Sequence, residues 1–97
     1  MTNRVVLSGS LVEKKAKRYT PAGLPVVELT LAHDSQVEEA ASQRVVQFEV
    51  RVKAVGQVAE RIEAVQIGSN VQASGFLAPA RQHSKQLIFH LTEFELE

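Results

Sequence analysis

Within residues 44–53, whose sequence is RVVQFEVRVK, apolar and polar side chains alternate from residue 46 to residue 53. A period of two is typical of a β-strand that packs one face on a core and exposes the other to water. Val46, Phe48, Val50 and Val52 form the apolar set. We therefore predict that all four side chains, Phe48 included, face the core, and that the polar set meets water.

Four more segments combine β-branched and apolar residues between turn signals, and each is predicted to form a strand. They are residues 4–12, 26–32, 70–77 and 87–96. In the second of them Val27, Leu29 and Leu31 alternate with Val26, Glu28, Thr30 and Ala32, which is again a period of two. The polar, acidic stretch between the second and third strands, residues 33–43, is predicted to be a hairpin loop, with a short helix as the alternative. In the last strand the apolar pattern changes phase, and a β-bulge near Thr92 would restore it.

Residues 57–66 carry the only clear helical pattern in the sequence. Val58, Ile62 and Val65 fall on one stripe at helical spacing, and Gly68 suits a helix end. The predicted order is three strands, a helix and two strands, which is the order of an OB-fold barrel. We predict an all-β, five-stranded OB-fold barrel with one helix between strands 3 and 4, and a single domain over residues 1–97.

Composition excludes several classes of function. Lysine and arginine total 11, aspartate and glutamate total 11, and the net charge is zero, so this is not a strongly cationic module that coats any polyanion. The absence of cysteine excludes a thiolate nucleophile, a disulfide and a cysteine-based zinc site. No apolar run has the length of a signal peptide core or a membrane span, so we expect a cytoplasmic protein with no membrane partner.

No catalytic or cofactor-binding constellation is visible in the sequence. His33, His83 and His90 are too far apart for a local metal motif, and no glycine-rich phosphate loop is present. The carboxylates at residues 38–39 and 93–97 fall in a polar loop and in the C-terminal stretch, where tuning by burial is not expected. We therefore predict a protein that is not an enzyme and that needs neither a metal nor a cofactor.

Two clusters of basic residues point to nucleic acid. Residues 13–18 (EKKAKR) and 79–86 (PARQHSKQ) fall in the loops joining strands 1–2 and 4–5, the loops with which OB-folds bind oligonucleotides, together with strands 2 and 3. The alternative interpretation is a solvated charge run, with Tyr19 packing its loop onto the barrel. The predicted DNA-binding residues are Lys14, Lys15, Lys17, Arg18, Tyr19, Arg44, Gln47, Arg51, Lys53, Arg81, His83 and Lys85.

Several motifs resemble a known family. The stretch RYTPAG at residues 18–23, with the strand that follows it to Ala32, is similar to bacterial single-stranded-DNA-binding proteins (SSB), as is the glycine pattern over residues 56–77. The opening MTNRVVLSG and the match over the whole length resemble the PriB family (primosomal replication protein N), a paralogue of SSB. The resemblance implies a homodimeric OB-fold that binds single-stranded DNA and links a PriA-type helicase to other primosome proteins.

The sequence departs from familiar family members in two places. They carry an aromatic residue on the outer face of the third strand, where this chain has Gln47. They carry several lysines in the loop between strands 4 and 5, where this chain has Arg81, His83 and Lys85. Both departures bear on DNA affinity. The alternative functions are a short SSB-like protector of single strands and a purely protein-binding OB module.

Self-association is predicted through the first strand. Val5 and Leu7 point one way and Val6 the other, so both faces of this strand are apolar and its edge is a pairing hazard if left open. Phe76 shares its strand face with polar residues, so it either stacks on a base or packs against a partner, and the partner is preferred. The predicted dimer interface is Val5, Val6, Leu7 and Phe76.

Overall fold

The computed structural model describes all 97 residues and contains six strands and one helix. Five strands have ten or more residues, and the sixth has only two. The helix has seven residues, and no helix in the structure is long and apolar enough to cross a membrane. The elements are β1 (Val5–Lys14), β2 (Arg18–Tyr19), β3 (Pro25–Glu39), β4 (Ser42–Val55), α1 (Gln57–Glu63), β5 (Asn70–Pro79) and β6 (Leu87–Leu96).

The strands close into one barrel. Their order in the sheet is β1-β5-β6-β4-β3-β2, and an additional pairing between β1 and β3 joins the two sides. All neighbours are antiparallel except β4 and β6, which run parallel. The predicted five-stranded OB-fold is confirmed. Because the two-residue β2 is also a strand, the helix follows the fourth strand in chain order, although it lies between the third and fourth long strands as predicted.

The core is built from the inward positions of the alternating strands. Residues 27, 29 and 31 of β3 are buried, and so are residues 52 and 54 of β4. Phe89 on β6 is the largest of the fully buried side chains. The burial of these side chains is the dominant favourable term in folding. Period-two alternation therefore identified the inward positions of β3 correctly, and those of β4 nearest α1.

The helix α1 is shorter than the predicted 57–66. Val58, Ile62 and Val65 are buried, as their spacing predicts. The α-helix ends at residue 63 because the amides of Ala64 and Val65 bond the carbonyls three residues earlier, which is the tighter pattern of a terminal turn. Gly68, with φ of 95°, lies in the turn beyond the helix end.

The predicted loop at residues 33–43 is wrong in extent. Strands β3 and β4 stay paired from Val26 and Val55 out to Glu39 and Ser42, and only Ala40 and Ala41 form the turn, both with positive φ. The two strands can remain polar here because this hairpin extends past the part of β3 that pairs with β1, so neither of its faces has a core to cover. We call residues 33–48 the β3–β4 ribbon.

Phe48 is not a core residue, which corrects the interpretation of its strand. It keeps the face that alternation assigns to it, but it is paired with His33 on the ribbon, beyond the core. Its side chain is 42% exposed, and its ring stacks on His33 with centroids 4.9 Å apart. Alternation predicts the face of a residue and not how far the barrel extends along that face.

The bulge predicted near Thr92 is confirmed. Ser74 pairs with Glu93 and Gly75 with Leu91, so Thr92 is the extra residue of β6. The strands approach closely at this point, because a Cβ on Gly75 would lie 1.8 Å from the carbonyl oxygen of His90. The bulge brings Phe94 back to the core, where it is buried.

Candidate nucleic-acid interface

A polar groove of about 450 Å³ crosses the outer face of the barrel. It brings together cations from three separate parts of the chain: Arg18 from β2, Arg51 and Lys53 from β4, and Arg81 from the loop between β5 and β6. All four were predicted to contact DNA. We call this surface the basic groove; its other lining residues are Glu28, Pro79, Ala80, Gln86, Ile88 and His90.

Glu28 lies between the cations of the basic groove. Its carboxylate accepts a hydrogen bond from Arg18 at 3.0 Å, and the Arg51 guanidinium is 4.0 Å away. The hydrogen bond from Arg18 holds the pKa of Glu28 below its usual value, with smaller contributions from the charges of Arg18, Lys15 and Lys53. Glu28 therefore stays ionised and orients two of the guanidinium groups, while four cations exceed one carboxylate.

His90 is a groove residue that the sequence interpretation missed. It lies on β6 directly opposite Lys53 of β4, and its ring stacks on Phe76 of β5 with centroids 4.9 Å apart and planes 8° apart. Burial and, to a smaller extent, the charge of Lys53 lower its pKa below the usual histidine value, so the imidazole is neutral at pH 7. The alternation of Phe89 and Leu91 could have placed His90 on the outer face.

Lys14 and Lys17 bind groups at the C-terminal half of α1 and do not line the groove. Lys14 is partly buried, and its Nζ donates to the backbone carbonyls of Glu63 and Val65, both at 2.6 Å, at the C-terminal end of α1. A cation is favourable at that end of a helix. Lys17 pairs with Glu60 at 3.1 Å and Glu63 at 3.5 Å, and these partners raise its pKa. Both lysines fix their loop to the helix.

Two further residues of the first loop remain exposed. Tyr19 is exposed on β2, with the Lys17 ammonium 5.5 Å from its ring centroid. Lys15 is also exposed, and its backbone amide donates to the Glu28 carbonyl, which holds it beside β3. Neither side chain lines the basic groove, although both lie on elements that adjoin it.

The other predicted contacts lie on the ribbon and in the β5–β6 loop. Arg44 pairs with Glu39 at 2.7 Å near the ribbon tip, and Gln47 donates to Asp34 on the ribbon. Neither residue lines the basic groove. His83 and Lys85 are exposed in the same loop as Arg81, and His83 has φ of 64°.

The predicted dimer residues lie on two surfaces. Val5 and Leu7 are half-buried against the core, whereas Val6 is 52% exposed on the opposite face of β1. Along residues 5–10, β1 pairs with β5 on one side. On its other side β3 pairs only from Ser10 onward, so residues 5–9 have no strand on that edge. Phe76 is separate from this edge, on the outer face of β5.

The chemistry of the basic groove is that of anion binding. Guanidinium and ammonium groups form charge-assisted hydrogen bonds with phosphate oxygens. The groove contains one carboxylate, and nowhere in the structure do three histidine, aspartate or glutamate side chains meet in an arrangement that could hold a metal ion. The arrangement can hold a phosphate backbone by electrostatics without reading its sequence.

Comparisons with known proteins agree with this geometry. Residues 3–93 match the model of a family described as another single-strand binding protein family. The replication restart protein PriB of Nitrosomonas europaea is 40% identical over 91 residues, covering 94% of this chain and 84% of that protein. The solved structure of PriB from Ralstonia solanacearum superposes with a TM-score of 0.90 at 36% identity, covering 99% of this chain and 98% of that one.

A solved single-stranded DNA binding protein from Thermus aquaticus has the same fold. It superposes with a TM-score of 0.78 at 24% identity, covering 99% of this chain and 50% of that one. The family match and the identity to PriB proteins extend over most of this chain. The chain belongs to the PriB family of replication restart proteins, within the single-strand binding proteins.

Proposed function

We propose that this chain binds single-stranded DNA in the basic groove, without catalysing a reaction, as part of replication restart. The observation that carries the proposal is the convergence of Arg18, Arg51, Lys53 and Arg81 on one outer face. These cations come from the β4 strand and from the two regions that flank an OB-fold binding face. The description of the matching family as single-strand binding proteins supports this substrate, and the name of the PriB relatives supports a role in replication restart.

A single strand fits this groove better than a duplex. The guanidinium groups of the groove are accessible, since the Arg18 side chain is 54% exposed and that of Arg51 60%, and the bases of a flexible strand can turn toward the protein while its phosphates meet these cations. In a duplex the faces of the bases are stacked on neighbouring pairs and cannot lie against the protein. Because the groove itself offers no exposed aromatic beyond the edge of His90, phosphate contacts carry most of the affinity, and binding is sensitive to salt.

The proposal is tested by fluorescence anisotropy with matched single- and double-stranded oligonucleotides. Arg51→Ala should weaken single-strand binding about 5-fold at 0.1 M salt, since one phosphate contact is lost. Arg61→Ala is the matched control, because it removes the same charge from a residue of α1 that lines a different surface depression. Equal affinity for both DNA forms, or equal losses in the two variants, would overturn the proposal.

We include primosome proteins among the partners. The PriB relatives are named replication restart proteins, and the resemblance of this chain to them implies contact with a PriA-type helicase. A cytoplasmic location is part of the same proposal. The test measures unwinding of a forked DNA by a PriA-type helicase with and without this chain. Stimulation that is absent with bovine serum albumin at equal concentration supports the proposal, and unchanged unwinding contradicts it.

We also propose a homodimer that pairs β1 with its copy. The open edge at residues 5–9 can accept a strand, and the exposed Val6 lies on it. Next to this edge, His33 hydrogen-bonds the Ser8 carbonyl at 2.6 Å and Phe48 stacks on His33, so more apolar surface is available to a partner. A two-fold axis would place the same patch on both copies.

A further inference from the structure

The outer face of β5 and β6 carries a stacked aromatic pair, of which only one member lines the basic groove. The rings of Phe76 and His90 lie nearly parallel with centroids 4.9 Å apart. His90 lines the groove, whereas Phe76 lies on its far side and is 38% exposed. The stacked imidazole fixes the orientation of the Phe76 ring while more than a third of this residue stays exposed.

The pair continues directly from the cations of the groove. Lys53 is paired with His90 across β4 and β6, and His90 is paired with Phe76 across β6 and β5, so the three residues form one row. Neighbouring strands are about 4.8 Å apart, so the row is roughly 10 Å long. A stacked strand advances about 3.4 Å per nucleotide, and about three nucleotides therefore cover this distance.

A second depression begins where the row ends. It has a volume of about 370 Å³ and is lined by Phe76, Arg4 and Glu93, together with Asn3, Ser74, Gly75 and Thr92. The charges of Arg4 and Glu93 offset each other, so this depression does not attract a phosphate backbone as the groove does. Its main feature is the exposed aromatic ring, and every nucleobase has a π-face that can stack on it.

The backbone here is built to hold the ring in place. Gly75 and the extra residue Thr92 allow β5 and β6 to approach closely beside Phe76. Asn3 exchanges two hydrogen bonds with the backbone of Leu77, at 2.7 and 3.1 Å, which fixes the N-terminal segment beside the depression. A rigid aromatic platform loses little conformational freedom when a base stacks on it.

We propose that a single strand bound in the basic groove continues over His90 and stacks one base on Phe76. This inference rests on the proposed DNA binding and deepens it, since it assigns the aromatic contact that Gln47 cannot supply on β4. Phosphates are held by the groove, and the Phe76 face receives a base.

The test compares Phe76→Leu with the conservative Phe76→Tyr by fluorescence anisotropy. On a 12-nucleotide oligo(dT), the leucine variant should bind about 5- to 100-fold more weakly, the range for one stacked base, and the tyrosine variant should bind like the original. On an oligonucleotide of equal length with abasic sites throughout, the leucine variant should show no loss. A loss that is equal on both oligonucleotides would overturn the inference, because it would not depend on bases.

Salt dependence separates stacking from charge. Phe76→Leu should leave the slope of log K against log salt unchanged, whereas Arg51→Ala should reduce its magnitude by about 0.7 through one lost phosphate contact. Light scattering measures the mass of each variant in parallel. If Phe76→Leu lowers the mass and leaves DNA affinity intact, this face binds a protein partner and the inference is wrong.

A direct readout is available because the chain contains no tryptophan. Phe76→Trp places a single indole on the proposed platform, and stacking by a base should quench its fluorescence when oligo(dT) is added. Leu96→Trp is the control, since Leu96 is 64% exposed and lies in a different surface depression. Quenching at Leu96→Trp alone would overturn the inference. If Arg51→Ala lowers affinity but no Phe76 variant responds, the inference fails and the proposed function stands; if no DNA binds at all, the function fails.

Discussion

Glu28→Gln should strengthen the binding of single-stranded DNA. The substitution removes the only carboxylate of the basic groove and keeps the size and the hydrogen-bonding shape of the side chain. Arg18, 3.0 Å from this carboxylate, and Arg51, 4.0 Å from it, are then free to turn toward phosphates. The phosphates of a strand bound in the groove are then no longer repelled by the Glu28 carboxylate.

The size of the effect follows from charge and exposure. Two like charges 4 Å apart repel by about 1 kcal/mol in bulk water, and the groove is open to water. Removing one such repulsion should raise affinity by roughly 2- to 5-fold at low salt. With four cations and one carboxylate the slope of log K against log salt should be near −2.1, and near −2.8 without the carboxylate, at about 0.7 per phosphate.

Anisotropy titrations of oligo(dT) over a series of salt concentrations measure both quantities. The exposed ion pairs that Glu28 makes stabilise the fold by about 0–1 kcal/mol, so the melting temperature should fall by no more than about 4–8 °C. Glu39→Gln is the control, because Glu39 pairs with Arg44 near the ribbon tip. Weaker binding in Glu28→Gln, with a folded protein, would show that orienting Arg18 matters more than repulsion and would refute the reasoning.

Four further predictions concern the groove, His90 and the β1 edge. Replacing Arg81 and Lys85 together by alanine should weaken DNA binding about 5- to 25-fold at 0.1 M salt by anisotropy, with the melting temperature nearly unchanged. DNA affinity, measured in titrations, should rise as the pH falls from 7 to 5.5. In the free protein the pKa of His90 is lowered, and a phosphate nearby favours the charged imidazole, so protonation and DNA binding promote each other. His90→Gln should flatten this rise. Because the pKa of His90 is lower in the folded chain than in the unfolded one, protonation of His90 favours unfolding. The melting temperature should therefore fall as the pH drops below about 6.5, the usual histidine pKa, and this contribution should be absent in His90→Gln. Val6→Lys should give a folded monomer by light scattering, and a persisting dimer would place the interface elsewhere.

The fold was predictable because its signal is local. Alternation in β3, the helical spacing in α1 and the phase change at Thr92 each reflect which side of one element meets the core, and the structure agrees with all three. The ribbon was not predictable in this way. Its polar, acidic sequence has no core to pattern it, and only the pairing of two strands with each other keeps it extended. Phe48 was assigned to the core because alternation indicates the face of a side chain and not where the barrel ends along that face.

The candidate site was predictable in part, because its residues come from distant parts of the chain. Loop positions in an OB-fold pointed to Arg18 and Arg81, and strand alternation pointed to Arg51 and Lys53, which the structure places in one groove. The lysines of the first loop could not be separated by sequence. Lys14 reaches the end of α1 across 49 residues of sequence, and only the three-dimensional packing shows that its ammonium is used there.

The charge distribution gives the proposed dimer a role in DNA binding. The net charge is zero, so the field beyond the Debye length of about 8 Å is weak and attraction comes from the groove itself. A groove with four cations and one carboxylate holds a single strand only weakly at physiological salt. Pairing β1 with its copy places two grooves on one particle, and a strand that reaches both is bound with a high effective concentration at the second. Conversion to a monomer should therefore weaken binding of a strand long enough for both grooves far more than binding of one that fills a single groove. An equal loss for both lengths would mean that β1 pairing shapes each groove instead of joining two of them.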